Sequence, residues 1–217
     1  MKTHDKIILA SLKLFNEKGE RAVNTNHIAE YLGISPGNLY YHFRNKEDII
    51  KSIFEKYIEH TQQSFIADDE NTPAEVFLQQ YCDQVFNSFW QFRFFHSSMP
   101  GIVLRDKELH KRYLSVHSVL GERAKYSVIR LKNDQIINID EQDIDDLVEL
   151  MRVVGSFWMN YLMANKLNGK ITKTELYRGI LKIINLLWPY TTPTGKQRLS
   201  VLRVRYQKLS RSKKSLT

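Results

Sequence analysis

One cysteine (Cys82), nine glycines and five prolines are all that the 217 residues hold of the residue types that staple or break a chain. A single cysteine excludes an intramolecular disulfide and fits a reducing compartment. So few glycines and prolines beside 42% apolar residues exclude a loop-rich or low-complexity chain, and point to a compact, mostly helical one. No apolar run approaches the length of a membrane span. The opening MKTHDKIILASLKLF interleaves charge with apolar residues and lacks a signal-peptide core. A soluble cytoplasmic protein without a membrane partner is expected. A Gly-rich phosphate loop, a metal-spaced His/Cys cluster and a nucleophile elbow are all missing, so no enzyme activity, cofactor or metal is expected. Acid is missing from the end of the chain. Residues 191–217 carry Lys196, Arg198, Arg203, Arg205, Lys208, Arg211, Lys213 and Lys214 and no Asp or Glu, which equals the whole net charge of +8. The basic pI is therefore a property of that tail and says nothing about the rest.

What the chain does have is concentrated in residues 25–49, TNHIAEYLGISPGNLYYHFRNKEDI. Local chemistry predicts two short helices joined by a glycine turn, then the start of another. Thr25 can cap the first, with Ile28, Ala29 and Leu32 as its buried face. Gly33 supplies the positive φ that ends it. Ser35 is an N-cap, and Pro36 stands at the first helical position, where its missing N–H costs nothing. Asn45, Glu47 and Asp48 open the next helix. In a helix-turn-helix the second helix reads base edges. Gly37 at its start allows backbone to approach DNA closely, Asn38 offers a donor and an acceptor, and Leu39 and Phe43 turn back into the core.

Thr25, Ile28-Ala29, Gly33-Ile34-Ser35, Gly37, Leu39-Tyr40, His42-Phe43 and Lys46-Glu47 also resemble, in register, the DNA-binding signature of the TetR family of bacterial transcriptional regulators. Asn24 departs from it, since many members carry a first threonine there. The resemblance implies that Tyr40, Tyr41 and His42 touch sugar-phosphate or thymine methyls. It implies phosphate contacts from Lys46, helped by the amides of its helix start, and from Thr25 and Asn26, with Ser35 beside them. The competing reading makes the Tyr-Tyr-His-Phe cluster only the core of a small domain.

The whole pattern is all-α: a helix-turn-helix domain over 1–46, a larger helical effector-binding and dimerisation domain over 47–190, and a basic tail over 191–217. A first helix is expected over about 3–18, burying Ile8, Leu12 and Phe15. A fourth runs over about 46–65, and a polar loop over 67–72. Thr72 and Glu75 form a capping box for an aromatic fifth helix over 73–95. Two further elements lie between 99 and 132, broken near Pro100-Gly101. Asp140 opens an eighth helix that ends at Gly169; Thr172 and Glu175 box the start of a ninth, which stops at Pro189. The eighth has Ile144, Leu147, Met151, Val154, Trp158 and Leu162 on one stripe, and the ninth has Leu176, Ile180, Ile183, Ile184 and Leu187. Such a pair can form half of a four-helix bundle with a second copy. Resemblance to the TetR family assigns that role, a homodimer through Leu147, Met151, Val154, Leu176, Ile180, Ile183, Ile184 and Leu187; an ordinary intrachain core is the other reading.

Three segments, FWQFRFF (89–95), LRDKELHKRY (104–113) and FWMNY (157–161), resemble motifs of a TetR subgroup, which implies no named effector. Phe89, Trp90, Phe92, Tyr113, Trp158 and Tyr161 are candidates to line a cavity for an apolar or aromatic small molecule, with Arg93, His110 and His117 as polar handles. The same aromatics also fit a plain core. Asp106, His110 and His117 could share one helical face, as a metal site would want, but an Asp-His pair on a charged helix reads as a solvated pair. Cys82, among Tyr81, Val85 and Phe86, reads as a buried small hydrophobe. In the tail, Leu199, Leu202, Tyr206 and Leu209 make a narrow stripe. It is a docked tenth helix, a solvated arm, or an added nucleic-acid or membrane contact. The expected function is a dimeric repressor released from a near-palindromic operator in double-stranded DNA by a small effector, nucleoid-associated when bound. The alternative is a ligand-independent DNA-bound scaffold of the same fold.

Overall fold

The computed structural model describes residues 1–64, 71–167 and 170–211. Part of the expected loop at 67–72, Gly169 and residues 212–217 of the tail lie outside the described residues. The elements are α1 (Thr3–Lys18), α2 (Thr25–Leu32), α3 (Pro36–His42), α4 (Lys46–Ser64), α5 (Ala74–Gln91), α6 (Arg93–Val103), α7 (Lys107–Asn133), α8 (Glu141–Ala164), α9 (Lys173–Leu187) and α10 (Pro193–Arg211). Among the described residues there is no strand, only an isolated antiparallel bridge between Ile137 and Thr191, and no helix is long and apolar enough to cross a membrane. The chain divides into two compact units, Met1–Ser64 with Gln91–Tyr113, and Phe65–Trp90 with Leu114–Thr217.

The first unit is built on α1. Ile7, Ile8, Leu12, Leu14 and Phe15 are buried together with Ile28 and Ala29 of α2, Leu39 of α3, and Ile49, Ile53, Phe54 and Tyr57 of α4. Gly19 ends α1 at φ 83°, its N–H donating to Phe15 O at 2.9 Å. The expected aromatic helix over 73–95 is instead broken at Phe92. Asn16 of α1 explains the break: its Nδ2 donates to Gln91 O at 2.8 Å and its Oδ1 accepts from Phe94 N–H at 3.0 Å. One side chain thus satisfies the end of α5 and the start of α6. Phe92, Phe94 and Phe95 are thereby delivered to the core, with ring centroids 5.4 Å from Tyr57, 5.2 Å from Phe15 and 5.2 Å from Phe54 respectively. The expected break at Pro100-Gly101 also moves. Helix α6 runs through it to Val103, and the turn falls at 104–106, where Asp106 Oδ1 accepts from the N–H groups of Glu108 and Leu109 and so caps α7.

In the second unit α5, α8, α9, α10 and the later turns of α7 enclose Leu78, Cys82, Phe86, Val128, Leu131, Ile144, Met151, Ile180, Ile184, Leu199, Leu202 and Tyr206. The Thr72–Glu75 box gives way to tertiary contacts: Ala74 N–H donates to Asp134 Oδ2 at 3.2 Å, and the Glu75 carboxylate takes Arg198 through bonds of 3.0 and 2.6 Å. The Thr172–Glu175 box forms reciprocally, as expected. Helix α8 stops at Ala164, short of the expected end. Of the three readings of the tail, the docked helix is the one observed. Leu199, Leu202 and Tyr206 are buried, Leu209 packs against the core, and Gly195 lies so close to Ile136 that a Cβ would sit 1.8 Å from its carbonyl oxygen. Two cations of α10 meet carboxylates of α5: Arg198 pairs with Glu75, and Arg205 with Asp83 at 2.8 Å. The Tyr206 hydroxyl donates to Asp83 Oδ1 at 2.8 Å.

Candidate nucleic-acid interface and effector region

The reading unit is assembled from caps. Asn24, not Thr25, is the N-cap of α2: its side chain accepts from His27 N–H at 2.9 Å, while His27 Nδ1 accepts from Asn24 N–H at 3.3 Å. Asn and His replace the usual Ser/Thr and Glu of such a box, which hid it from pattern reading. Thr25, freed from capping, shares a 3.0 Å hydrogen bond with the Tyr40 hydroxyl and so ties the start of α2 to α3. Gly33 adopts φ 65° and ψ 31° as expected. Ser35 Oγ accepts from Asn38 N–H at 3.1 Å and Pro36 opens α3. Leu39 and Phe43 are buried, while Tyr41 is 85% exposed and Gly37, Asn38 and Tyr40 are exposed beside it. His42 is half-buried, its ring 6.3 Å from that of His4, which stacks on Phe43 at 4.6 Å. Asn26 is exposed on the first turn of α2.

Lys46 is spent inside the unit. Its ammonium lies 2.7 Å from Glu20 Oε1, 3.0 Å from Glu20 O and 3.2 Å from Val23 O, which uses all three protons. Glu20 is buried by this contact, and no motif had marked it. Lys46 thereby fixes the segment before α2 against the start of α4. Arg44, just after α3, is exposed.

The candidate effector residues fall into two groups. Phe92, Arg93, His110 and Tyr113 belong to the first unit; Phe89, Trp90, His117, Trp158 and Tyr161 belong to the second. Phe92 is wholly buried in the aromatic core, and half-buried Arg93 has its pKa lowered by burial, with Glu17 opposing. His110 is half-buried on the first turn of α7. The Trp158 indole N–H donates to Glu175 O at 2.7 Å; its ring closes over Gly179 and stacks on Tyr161 at 5.4 Å. Lys173 lies 5.3 Å from the Trp90 ring. Burial, aided by Arg152, pushes the His117 pKa down to about 4. Burial pushes the Cys82 thiol up to about 12, as suits a core residue. Asp106 is engaged by Lys51 Nζ at 2.7 Å as well as by the α7 amides. An open cleft of about 350 Å³ is lined by Phe77, Val119, Glu122, Arg123 and Tyr126.

Of the candidate dimer residues, Leu147, Met151, Leu176, Ile180, Ile184 and Leu187 are buried within the chain, and Val154 and Ile183 are half-buried. What α8 leaves in the open is a different stripe: Leu150, Val153, Phe157 and Tyr161, between 48% and 62% exposed.

Residues 7–53 match a family model described as bacterial regulatory proteins, tetR family, and residues 56–199 match one described as a bacterial transcriptional repressor. An HTH-type transcriptional regulator of Staphylococcus aureus (strain USA300) is 38% identical over 68 residues, which are 30% of this chain and 36% of that protein. The chain thus spans about a third of the length of the curated relatives it matches. Among solved structures, a TetR-family transcriptional regulator from Marinobacter aquaeolei VT8 is similar with a TM-score of 0.83 and 38% identity, over 95% of this chain and 99% of that one. The ketosteroid transcriptional regulator KstR2 of Mycobacterium tuberculosis shares the fold at TM-score 0.63 and 14% identity, over 88% and 96% of the two chains. The SmeT–triclosan complex does so at TM-score 0.55 and 14% identity, over 89% and 93%.

Proposed function

Because the chain belongs to the TetR family of bacterial regulatory proteins, we propose that it is a DNA-binding transcriptional repressor that works as a two-fold dimer and responds to a small effector. The observation that carries this reading is α3: Leu39 and Phe43 anchor it while Gly37, Asn38, Tyr40 and Tyr41 are presented outward. Asn38 is suited to a base edge, and Tyr40, Tyr41 and His42 to sugar-phosphate and thymine methyls. Thr25 acts here by holding Tyr40, and Lys46 by holding the segment before α2; Asn26 and Ser35 lie close enough in sequence to join the backbone contacts. Burial of the expected α8–α9 residues shifts the proposed dimer contact to the open stripe Leu150, Val153, Phe157 and Tyr161, bordered by Val154 and Ile183.

A two-fold dimer asks for a near-palindromic operator with half-site centres about 34–36 Å apart, or a multiple of that. Release follows if an effector favours a dimer geometry in which the two α3 helices no longer fit successive half-sites. An effector that bound both geometries equally would release nothing. The fold shared with SmeT, solved with triclosan, supports an effector-responsive reading.

Genome-wide binding by the purified protein, followed by footprinting, tests this directly. One or a few near-palindromes beside promoters, lost in Tyr41→Ala protein that still folds, is the expected result. Dispersed sites without two-fold symmetry, or no binding at all, would overturn it.

A further inference from the structure

Helix α10 is buried on one face only. Gly195, Leu199, Leu202, Tyr206 and Ser210 turn into the core. Gln197, Val201, Val204, Lys208 and Arg211 recur at alternating intervals of four and three residues and form an exposed stripe on the other side. The cations of the helix sort by face. Arg198 and Arg205 lie on the border that meets α5, paired with Glu75 and Asp83, and Asp134 stands 3.6 Å from Arg198. Arg203 lies on the opposite border, its guanidinium 4.6 Å from the centre of the Trp188 ring. Exposed Lys196 precedes Arg203 by two turns, in the same row. Among the described residues Lys196, Lys208 and Arg211 meet no carboxylate. Nor does α9, packed along α10, offset them. Residues 173–211 hold a single acid, Glu175, which Lys166 engages at 2.6 Å and which closes the box with Thr172.

The row from Lys196 to Arg211 spans about 22 Å at 1.5 Å per residue. Three kinds of partner present negative charge on that scale. A helix that lies in a membrane surface buries its apolar face in lipid. That face of α10 is already taken by the core, and freeing it would break the Arg198 and Arg205 pairs. A protein partner is anchored by aromatic or apolar side chains, with few charges at the centre of the contact. The open face offers only Val201 and Val204 for that purpose. A phosphate backbone needs no such anchor. Duplex DNA carries one negative charge per about 1.7 Å of its axis and is held by outward Lys and Arg alone.

We propose that the open face of α10 is a second DNA-binding surface, which holds the phosphate backbone of double-stranded DNA without reading its sequence. Lys196, Lys208 and Arg211 make the contacts, with Arg203 on their border. The docked inner face keeps the helix on the body of the protein, so the cations are presented as a fixed row. The surface does not rest on α3: it adds a sequence-independent hold to whatever the reading helix recognises, and each raises the local concentration of DNA for the other.

Fluorescence anisotropy of the full-length protein with a random-sequence duplex several helical turns long, between about 50 and 200 mM salt, tests the surface. The triple variant Lys196→Gln/Lys208→Gln/Arg211→Gln is expected to keep its melting temperature, because these side chains pair with no carboxylate in the fold. Its slope of log K against log salt should be shallower by about 2–3, at roughly 0.9 per phosphate contact, and its affinity at low salt at least about tenfold weaker. Lys196→Arg/Lys208→Arg/Arg211→Lys should keep the wild-type slope. Removing as many charges at the start of α7, by Arg105→Gln/Lys107→Gln/Lys111→Gln, should change it by less than about one. An unchanged slope in the α10 variant, or an equal fall in the α7 variant, would overturn the proposal. So would phosphatidylglycerol vesicles, in place of DNA, being the partner that the α10 variant loses. Tyr41→Ala separates this surface from the repressor reading. Random-sequence binding that survives in Tyr41→Ala and falls on adding the α10 substitutions leaves the surface standing, whether or not an operator is found.

Discussion

Gly37 has nothing closer to its missing Cβ than Ser35 Oγ at 3.9 Å, so the fold itself would accept a methyl group there. On the DNA-binding reading, the restriction comes from outside, from backbone that approaches a groove. Gly37→Ala is therefore expected to leave stability unchanged or raise it by up to about 1 kcal/mol. Operator affinity, followed by fluorescence anisotropy, should drop about tenfold or more, which is ~1.4 kcal/mol. Equal affinity would remove Gly37 from the interface. His117 makes the second prediction at this scale. Its folded pKa of about 4 lies below the ordinary value, first through burial and then through Arg152. Between those two pH values the unfolded chain binds the extra proton, so this contribution to stability is complete above about 6.5 and is lost as pH falls toward 4. At ~1.4 kcal/mol per unit the loss amounts to about 3 kcal/mol. His60, whose pKa is also lowered by burial, adds to it in the same direction. Urea denaturation at pH 7, 5.5 and 4.5 should show a shallower decline in His117→Gln than in wild type, and parallel declines would refute the assignment.

Helices α5, α6 and α10 show how element boundaries depend on residues far along the chain. Nothing in FWQFRFF marks a break after Gln91, because its cause is Asn16, 75 residues earlier, which satisfies the ends of both helices. The stripe Leu199, Leu202, Tyr206 was legible as amphipathic, yet periodicity alone does not say whether such a helix docks. Docking depends on Glu75 and Asp83 of α5, more than 120 residues away, and on the closeness of Gly195 to Ile136. Two substitutions follow. Gly195→Ala places a methyl into the Ile136 carbonyl and should destabilise by about 1–3 kcal/mol or more, measured by urea unfolding. Tyr206→Phe removes the bond to the Asp83 carboxylate at little cost in packing, and should destabilise by ~1.5–3 kcal/mol. A Gly195→Ala protein as stable as wild type would contradict the close docking of α10.

For the whole molecule, the proposed dimer makes the open stripe of α8 the surface to test. Phe157→Glu, and separately Leu150→Glu, should give folded monomers by sedimentation, with operator binding reduced far more than any loss of stability explains. A Phe157→Glu protein that remains a dimer would refute the stripe as the contact. Sequence periodicity found both apolar helices but assigned the partner to Leu147, Met151, Ile180 and Ile184, which lie inside the chain's own core. A helix packed among several neighbours carries apolar residues on more than one face, and spacing alone does not say which face its own chain covers. The helical class, the glycine turn, Ser35 and Pro36 at the head of α3, and the Thr172–Glu175 box were all determined by the sequence itself. Their causes are steric and hydrogen-bonding effects within a few residues. Only the tertiary structure decided that Thr25 holds Tyr40, that Lys46 turns inward to Glu20, and that the basic tail folds onto α5 and α9. Each of these was a competition among partners of similar local merit, settled by which groups the packed chain brings within hydrogen-bonding distance and removes from water.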